Sequence, residues 1–158
     1  MTKINLLAEP EKNGIIIDRI FDASREMVWN AWTKSAQIAK WFNTIPYLDI
    51  NVIELDVRPS GHFRFTIPNQ DSLEILGEYT GTYQTVKPQH ELSFDVIDYS
   101  ITKNQNGISA SFKIQFETVG KQTLLRLEAT LKDESYREIT FNGWNQSLDN
   151  LTIYLESK

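Results

Sequence analysis

Hydrophobic and polar residues alternate with a period of two through most of the middle of the chain. The clearest stretch places polar residues between the apolar residues Ala110, Phe112, Ile114 and Phe116. Because successive side chains of a strand point to opposite faces, such a pattern predicts a sheet with one buried face and one face in water. Similar alternation over about 74–86, 91–99, 108–118 and 122–131, with turn residues between the stretches, predicts a meander of antiparallel strands.

The first third of the chain predicts a strand, two short helices and a hairpin. A β-branched run at 15–21 reads as the first strand and ends at the helix-capping residue Ser24. Apolar residues at three- and four-residue spacing after Ser24, and again after Ser35, predict two short helices. The hairpin follows, with strands at about 52–58 and 62–67 around a Pro-Ser-Gly turn.

A long amphipathic helix is predicted at the C-terminus. Polar residues, among them Asn150, occupy its other sides, and its apolar stripe consists of Tyr136, Ile139, Thr140, Gly143, Trp144, Ser147, Leu148, Leu151, Tyr154 and Leu155. A helix of this length reaches about 30 Å, enough to cover the apolar face of a sheet. The element order predicts one α+β domain over 1–158, in which 1–14 form a flexible or loosely packed lead segment.

Composition and charge exclude several classes of function. The chain has 158 residues, no cysteine and a formal charge of −5. Thiol chemistry and thiolate metal sites are therefore excluded, and the acidic balance argues against a nucleic-acid partner. No apolar run approaches the length of about 18 residues that a membrane span needs. Since the first fourteen residues also lack the core of a signal peptide, we expect a cytoplasmic protein without a cofactor.

Motifs for metal binding or hydrolysis are not found in the sequence. His62 and His90 lie 28 positions apart without the ligand spacing of a metal site, so no metal is expected. The nucleophile elbow Gly-x-Ser-x-Gly is absent as well. Gly77 and Gly81 lie inside a predicted strand and do not form a phosphate loop; we interpret them as sites of sheet curvature or of close helix approach.

Several stretches together resemble a known family. These are 21–23, 28–33 and 38–42 near the start, the hairpin residues 55–65, the strand residues 77–79 and 88–94, and the helix residues 143–151. In order and spacing they are similar to the activator-of-heat-shock-protein-90-ATPase homologue family of the START-like, or SRPBCC, superfamily, over about 15–156. The chain has Ser60-Gly61 where that family commonly carries Gly-Gly.

The resemblance implies a helix-grip fold. A curved antiparallel sheet of six to seven strands would wrap the C-terminal helix and leave an apolar cavity between them. Members of the superfamily bind lipids, sterols, hormones or polyketides, and some catalyse cyclisation or hydrolysis, so the shared fold does not choose among functions.

Aromatic residues are the main candidates for the lining of such a cavity. All four tryptophans fall on predicted helices, and rings on the strands join them. For any single ring we favour simple core filling, whereas the rings as a group favour the lining of a small-molecule pocket. The predicted ligand-cavity residues are Trp29, Trp32, Trp41, Phe42, Phe63, Phe65, Tyr79, Phe94, Phe112, Trp144 and Leu148.

Glu78 and Arg64 are the only weak candidates for catalysis. If Phe63 and Phe65 point inward, the period of two turns His62, Arg64 and Thr66 outward. Arg64 is then a solvated cross-strand partner of Glu54, Asp56 or Glu78, which is the interpretation we favour.

The sequence therefore predicts a protein that binds a small apolar or amphipathic molecule. One alternative is a co-chaperone-like domain that contacts a chaperone ATPase, with the loop 43–48 as its contact surface. A second alternative is a cyclase or hydrolase that uses the same cavity. The sequence leaves the oligomeric state open between monomer and dimer.

Overall fold

An antiparallel sheet forms the body of the protein. The computed structural model describes residues 3–42, 49–69, 71, 75–99 and 107–158. Its seven strands are β1 (Gly14–Phe21), β2 (Asn51–Leu55), β3 (His62–Pro68), β4 (Ile75–Lys87), β5 (Glu91–Asp98), β6 (Ile108–Val119) and β7 (Gln122–Leu131). They lie in the order β1-β7-β6-β5-β4-β3-β2, so the predicted six-strand meander is extended by β1 pairing with β7.

Short helices follow β1, and a long helix ends the chain. They are α1 (Arg25–Thr33), α2 (Ser35–Ile38), a single 3₁₀ turn (Glu134–Tyr136) and α3 (Arg137–Glu156). The Ser24 hydroxyl accepts the Met27 N–H at 3.2 Å and so caps α1 as the sequence predicted. No helix within the described ranges is both long and apolar enough to cross a membrane.

Trp41 lies outside the second helix, which corrects the prediction that all four tryptophans are helical. The helix α2 ends at Ile38 after one turn. The N–H groups of Lys40 and Trp41 donate to carbonyls three residues back, those of Gln37 and Ile38, as in a 3₁₀ turn, and the Ala39 carbonyl accepts the N–H of Ile50 at 2.9 Å. Trp41 instead lies in the turn that follows.

The buried side of α3 differs from the predicted stripe at two positions. Ile139 is 47% exposed, because at 3.6 residues per turn it lies opposite the fully buried Leu148. Asn150, predicted on the polar side, is buried, and its Oδ1 accepts from Gln146 Nε2 at 3.1 Å. The helix is attached to the edge strand β1 by Arg19, whose Nη1 donates to the Asp149 carboxylate at 2.8 Å.

Irregular pairing bends the sheet around α3. Register shifts occur in β2 between Val52 and Glu54, in β3 after Ile67 and in β4 between Tyr83 and Thr85. Such bulges bend a strand and increase its twist. The sheet stays open, and with α3 against its inner face the architecture is the expected helix-grip.

The described part of the lead segment, from residue 3 onward, lies along the outer face of β6 and β7. The N–H of Ile4 donates to Glu117 Oε1 at 2.9 Å, and Asn13 Nδ2 donates to the Leu131 carbonyl at 2.9 Å. Ile4 is buried, whereas Leu7 is 90% exposed. This segment therefore contributes apolar burial outside the main core through Ile4.

The turn between β2 and β3 carries a testable local strain. Ser60 has φ +68°, a left-handed conformation that a residue with a Cβ adopts at a cost. We expect Ser60→Gly to raise the free energy of unfolding by roughly 0.5–1 kcal/mol, since the relieved strain exceeds the added chain entropy of glycine. Urea unfolding at equilibrium measures the change.

A matched control is Gly120→Ala. Gly120 has φ +62°, and no atom lies within 4 Å of the place where a Cβ would stand. An alanine at this position has backbone strain but no steric clash, so we expect Gly120→Ala to lower the free energy of unfolding by about 1 kcal/mol. A Ser60→Gly protein that is no more stable than the parent contradicts the strain argument.

Candidate functional site

Aromatic rings form a continuous network between the helices and the inner face of the sheet. The structure brings the predicted ligand-cavity rings together, from Trp29 and Trp32 through Trp41, Phe42 and Trp144 to Phe112, Phe94, Phe63, Phe65 and Tyr79. Neighbouring centroids lie within aromatic contact distance, between 4.8 Å for Trp32–Trp41 and 6.4 Å for Trp32–Phe116. Leu148 is fully buried in the same core. We call this network the ring cluster.

Sequence reasoning missed two members of the ring cluster. Phe116 contacts both Trp29 and Trp32 edge-on, and Tyr83 contacts Phe63 and Phe94. Both residues lie at inward positions of their strands, so the period of two was the signal that could have found them. Burial raises the pKa of the Tyr83 phenol, which keeps this hydroxyl neutral.

Trp144 contacts rings from three other parts of the chain, and its own side chain is only partly buried. Its indole stacks on Trp32 with 7° between the planes, and its centroid is 5.2 Å from that of Phe42 and 5.3 Å from that of Phe112. Trp144 and Tyr79 are only partly buried, and both contact the buried ring of Phe42. The ring cluster therefore reaches solvent beside Phe42.

The polar atoms of the ring cluster are unequally satisfied. Trp41 Nε1 donates to the Ala31 carbonyl at 2.9 Å. Trp32 Nε1 and Thr140 Oγ1 are buried, and neither has a hydrogen-bond partner within the described part of the chain. A buried donor left unpaired costs about 1–3 kcal/mol.

The two indole N–H groups lead to a stability prediction. Trp41→Phe removes a buried hydrogen bond and leaves the Ala31 carbonyl unpaired, whereas Trp32→Phe removes an N–H that is already unpaired. Both changes delete similar ring volume, so we expect Trp41→Phe to be the more destabilising by about 1–3 kcal/mol. Chemical denaturation of the two variants side by side measures this difference. Equal losses contradict the assignment of the unpaired group to Trp32.

An open groove of about 830 Å³ crosses the outer face of the sheet. One row of its side chains runs in register across five strands: His62, Thr82, Asp95, Ser111 and Thr130. Three of these five residues carry hydroxyls, and the Asp95 carboxylate accepts from Ser111 Oγ at 2.6 Å. Of the predicted ligand-cavity residues, only Phe63 borders this groove, so the groove and the ring cluster lie on opposite faces of the sheet.

The weak catalytic candidates form an ion pair with each other. Arg64 Nε donates to Glu78 Oε1 on the outer face, which confirms Arg64 as a solvated cross-strand partner. Thr66, expected to point outward, pairs in register with Glu78 and is 3% exposed. A catalytic role for the pair stays a prediction.

The two histidines have separate environments. His62 Nδ1 is 3.0 Å from Thr82 Oγ1, and His90 Nδ1 is 3.5 Å from an Arg25 nitrogen. Among the residues that the structure describes, no group of His, Asp and Glu is arranged to hold a metal ion. The loop 43–48, predicted as a partner-binding surface, lies outside the described residues.

Comparison with known proteins places the chain in a family. Residues 22–156 match the family described as "Activator of Hsp90 ATPase homolog 1-like protein". No curated protein matches the chain significantly.

Solved structures share the fold at low sequence identity. A protein from Arthrobacter aurescens is 14% identical with a TM-score of 0.79, covering 98% of this chain and 94% of its own. CalU16 from Micromonospora echinospora is 22% identical with a TM-score of 0.64, covering 89% and 74%. DynU16, a protein in the dynemicin biosynthetic locus, is 16% identical with a TM-score of 0.71, covering 91% of this chain and 47% of its own.

Proposed function

The chain belongs to the activator of Hsp90 ATPase homolog 1-like family, and from that premise we propose that it binds a small apolar or amphipathic molecule at the ring cluster, between α3 and the sheet. The observation that carries the proposal is the partial exposure of Trp144 and Tyr79, whose rings both contact the buried Phe42. An apolar ligand that enters there would contact several aromatic rings, as small-molecule sites commonly provide.

The position of Trp144 supports an adaptable site. Its indole joins the helix to rings from α1, from the turn after α2 and from β6. A small displacement of α3 would therefore change the space available to all of these rings together. DynU16, which shares this fold, is a protein in the dynemicin biosynthetic locus, and this supports a small organic molecule as the ligand here.

Native mass spectrometry of the purified protein first shows whether a molecule co-purifies. The test is then whether ethylnaphthalene, a flat apolar probe, binds saturably. A probe at a hundred times its dissociation constant adds about 2.7 kcal/mol of stability, which a thermal-shift assay detects readily. We expect Trp144→Ala to weaken binding at least about tenfold, because the variant loses ring contact with the ligand.

Ser111→Trp is the matched control. Ser111 is exposed in the outer groove, so a large side chain there fills the groove without touching the ring cluster. Unchanged probe binding by this variant supports the proposal. Binding that is lost in Ser111→Trp and retained in Trp144→Ala would move the site to the outer face, and no saturable binding by the parent protein overturns the proposal.

The proposal also places the protein in the cytoplasm, where a small ligand would reach it directly. Fractionation of cells that produce a tagged chain tests this location. Recovery of the tagged chain with membranes or in the medium contradicts it.

A second candidate function is contact with a chaperone ATPase. The family description, which names an activator of the Hsp90 ATPase, is the observation that favours it. The protein is added at saturating concentration to an Hsp90-type ATPase, and the rate of ATP hydrolysis is measured. A raised rate supports this function, and an unchanged rate excludes it.

A further inference from the structure

Trp32 and Thr140 each have a buried polar side-chain atom that has no partner among the residues that the structure describes. Trp32 is 2% exposed and Thr140 is 9% exposed, and both Trp32 Nε1 and Thr140 Oγ1 lack a hydrogen bond within the described residues. Thr140 lies one helical turn before Trp144, whose ring stacks on Trp32. Trp32 Nε1 therefore lies on α1 and Thr140 Oγ1 on α3, the two elements that the Trp32–Trp144 stack joins.

The neighbouring Trp41 shows that this fold can satisfy a buried indole. Its N–H donates to a main-chain carbonyl at 2.9 Å, as buried donors usually do. Trp32, in edge-on contact with Trp41 at 4.8 Å, has no such acceptor within the described ranges. A donor that is left unpaired in an otherwise apolar site is available to a ligand.

We propose that the ligand of the ring cluster carries a neutral oxygen acceptor, a carbonyl or an ether, that accepts the hydrogen bond of Trp32 Nε1. The inference rests on the proposed function and narrows it to a chemical class. An indole nitrogen only donates, so the ligand must supply the acceptor.

The surroundings favour a neutral acceptor over a carboxylate. The buried charged residue within the described ranges is Arg126, and its guanidinium lies on the outer face in an ion pair with Asp18. Burial raises the pKa of Tyr83, one of the two tyrosines among the rings, so its phenol stays neutral. An anionic group would therefore be buried without a counter-charge, which is costly, whereas a ketone or ether is not penalised in this way.

A pair of probes tests this inference. Ethylnaphthalene and acetylnaphthalene have the same ring and nearly the same size, but only acetylnaphthalene carries a carbonyl. The four indole N–H signals in a proton–nitrogen correlation spectrum are assigned from single Trp→Phe variants. On addition of acetylnaphthalene we expect the Trp32 signal to move downfield, as hydrogen bonding requires, and its dissociation constant to be about tenfold lower than that of ethylnaphthalene.

Two variants separate the hydrogen bond from general packing. Trp32→Phe is expected to abolish the tenfold preference for acetylnaphthalene, and Trp41→Phe is expected to keep it. The signal shift in the parent protein provides the same test if Trp32→Phe does not fold.

The outcomes separate this inference from the proposed function. Equal binding of both probes with an unmoved Trp32 signal overturns the inference and leaves the proposed function standing. Binding of neither probe overturns both.

Discussion

Gly61→Ala is expected to destabilise the protein by about 3 kcal/mol, the largest effect among the glycines of the turns. A Cβ at this position would lie 2.0 Å from the Asp56 carbonyl oxygen and 2.9 Å from the Arg58 carbonyl oxygen. Both atoms belong to the backbone, so no side-chain rotation relieves the clash. The turn between β2 and β3 would have to move as a whole.

Movement of this turn breaks its attachment to the sheet. The N–H of Gly61 donates to the Arg58 carbonyl at 2.8 Å, and its own carbonyl accepts the N–H of Tyr83 at 2.8 Å. Tyr83 carries one of the rings beneath this turn, in contact with Phe63. The loss therefore extends from the turn into the ring cluster.

Equilibrium unfolding in urea measures the cost of Gly61→Ala. Ser60→Ala, one residue earlier, is the control, because it keeps a Cβ at a position that already has one and is expected to change stability by less than about 0.5 kcal/mol. If the two variants lose equal stability, the clash at Gly61 is not the cause.

Asp18→Ala is expected to cost about 3 kcal/mol, because it leaves a buried arginine without its counter-ion. Arg126 is 2% exposed, and its Nε and Nη2 donate to the two Asp18 oxygens at 2.7 and 2.8 Å. The same carboxylate holds the pKa of Arg126 above its usual value. In the Asp18→Ala protein the Arg126 guanidinium keeps its charge and stays buried, but it has lost its strongest hydrogen-bond partner.

The lead segment should respond to the same substitution. Arg126 Nη1 also donates to the carbonyl of Asn5, which ties residues 3–8 to the outer face of β7. We expect Asp18→Ala to make this segment more accessible to limited proteolysis as well as to lower the unfolding midpoint in urea. An unchanged cleavage pattern with full loss of stability would restrict the role of the ion pair to the sheet.

Glu128→Ala is the matched control for the ion pair. Glu128 is also on β7, and its carboxylate is 3.8 Å from Lys113 Nζ in a partly exposed pair. Such surface pairs contribute between about 0 and 1 kcal/mol. Equal losses of unfolding free energy in Asp18→Ala and Glu128→Ala would show that the burial of Arg126 does not make its ion pair more important than a surface pair.

Much of the sheet could be predicted because local alternation and turn residues define antiparallel hairpins. The strand predicted at about 74–86 is β4 (Ile75–Lys87), and the strand predicted at about 108–118 is β6 (Ile108–Val119). The second helix was less predictable, since the chain leaves α-helical bonding after Ile38 and the Ala39 carbonyl accepts from Ile50, which lies outside the helix. Contacts of that kind leave no trace in a local pattern.

Gly81 is a second position at which the local sequence pattern did not identify the contacting residue. The sequence predicted a curved sheet or a nearby helix at this residue. In the structure a Cβ on Gly81 would lie 2.2 Å from Phe63 Cζ, so the close neighbour is a ring from the adjacent strand. The strand register, rather than the residue type, determined this neighbour.

The sequence by itself determined the strand order of the meander, the long covering helix, the gathering of aromatic side chains on the inner face and the absence of thiol chemistry. These properties depend on residue type and periodicity, which are local. Only the tertiary structure decided that Trp41 has a carbonyl partner while Trp32 has none among the described residues, and that an open polar groove crosses the outer face. Hydrogen bonds and cavities depend on ångström-scale distances between elements far apart in the chain, and periodicity does not encode these distances.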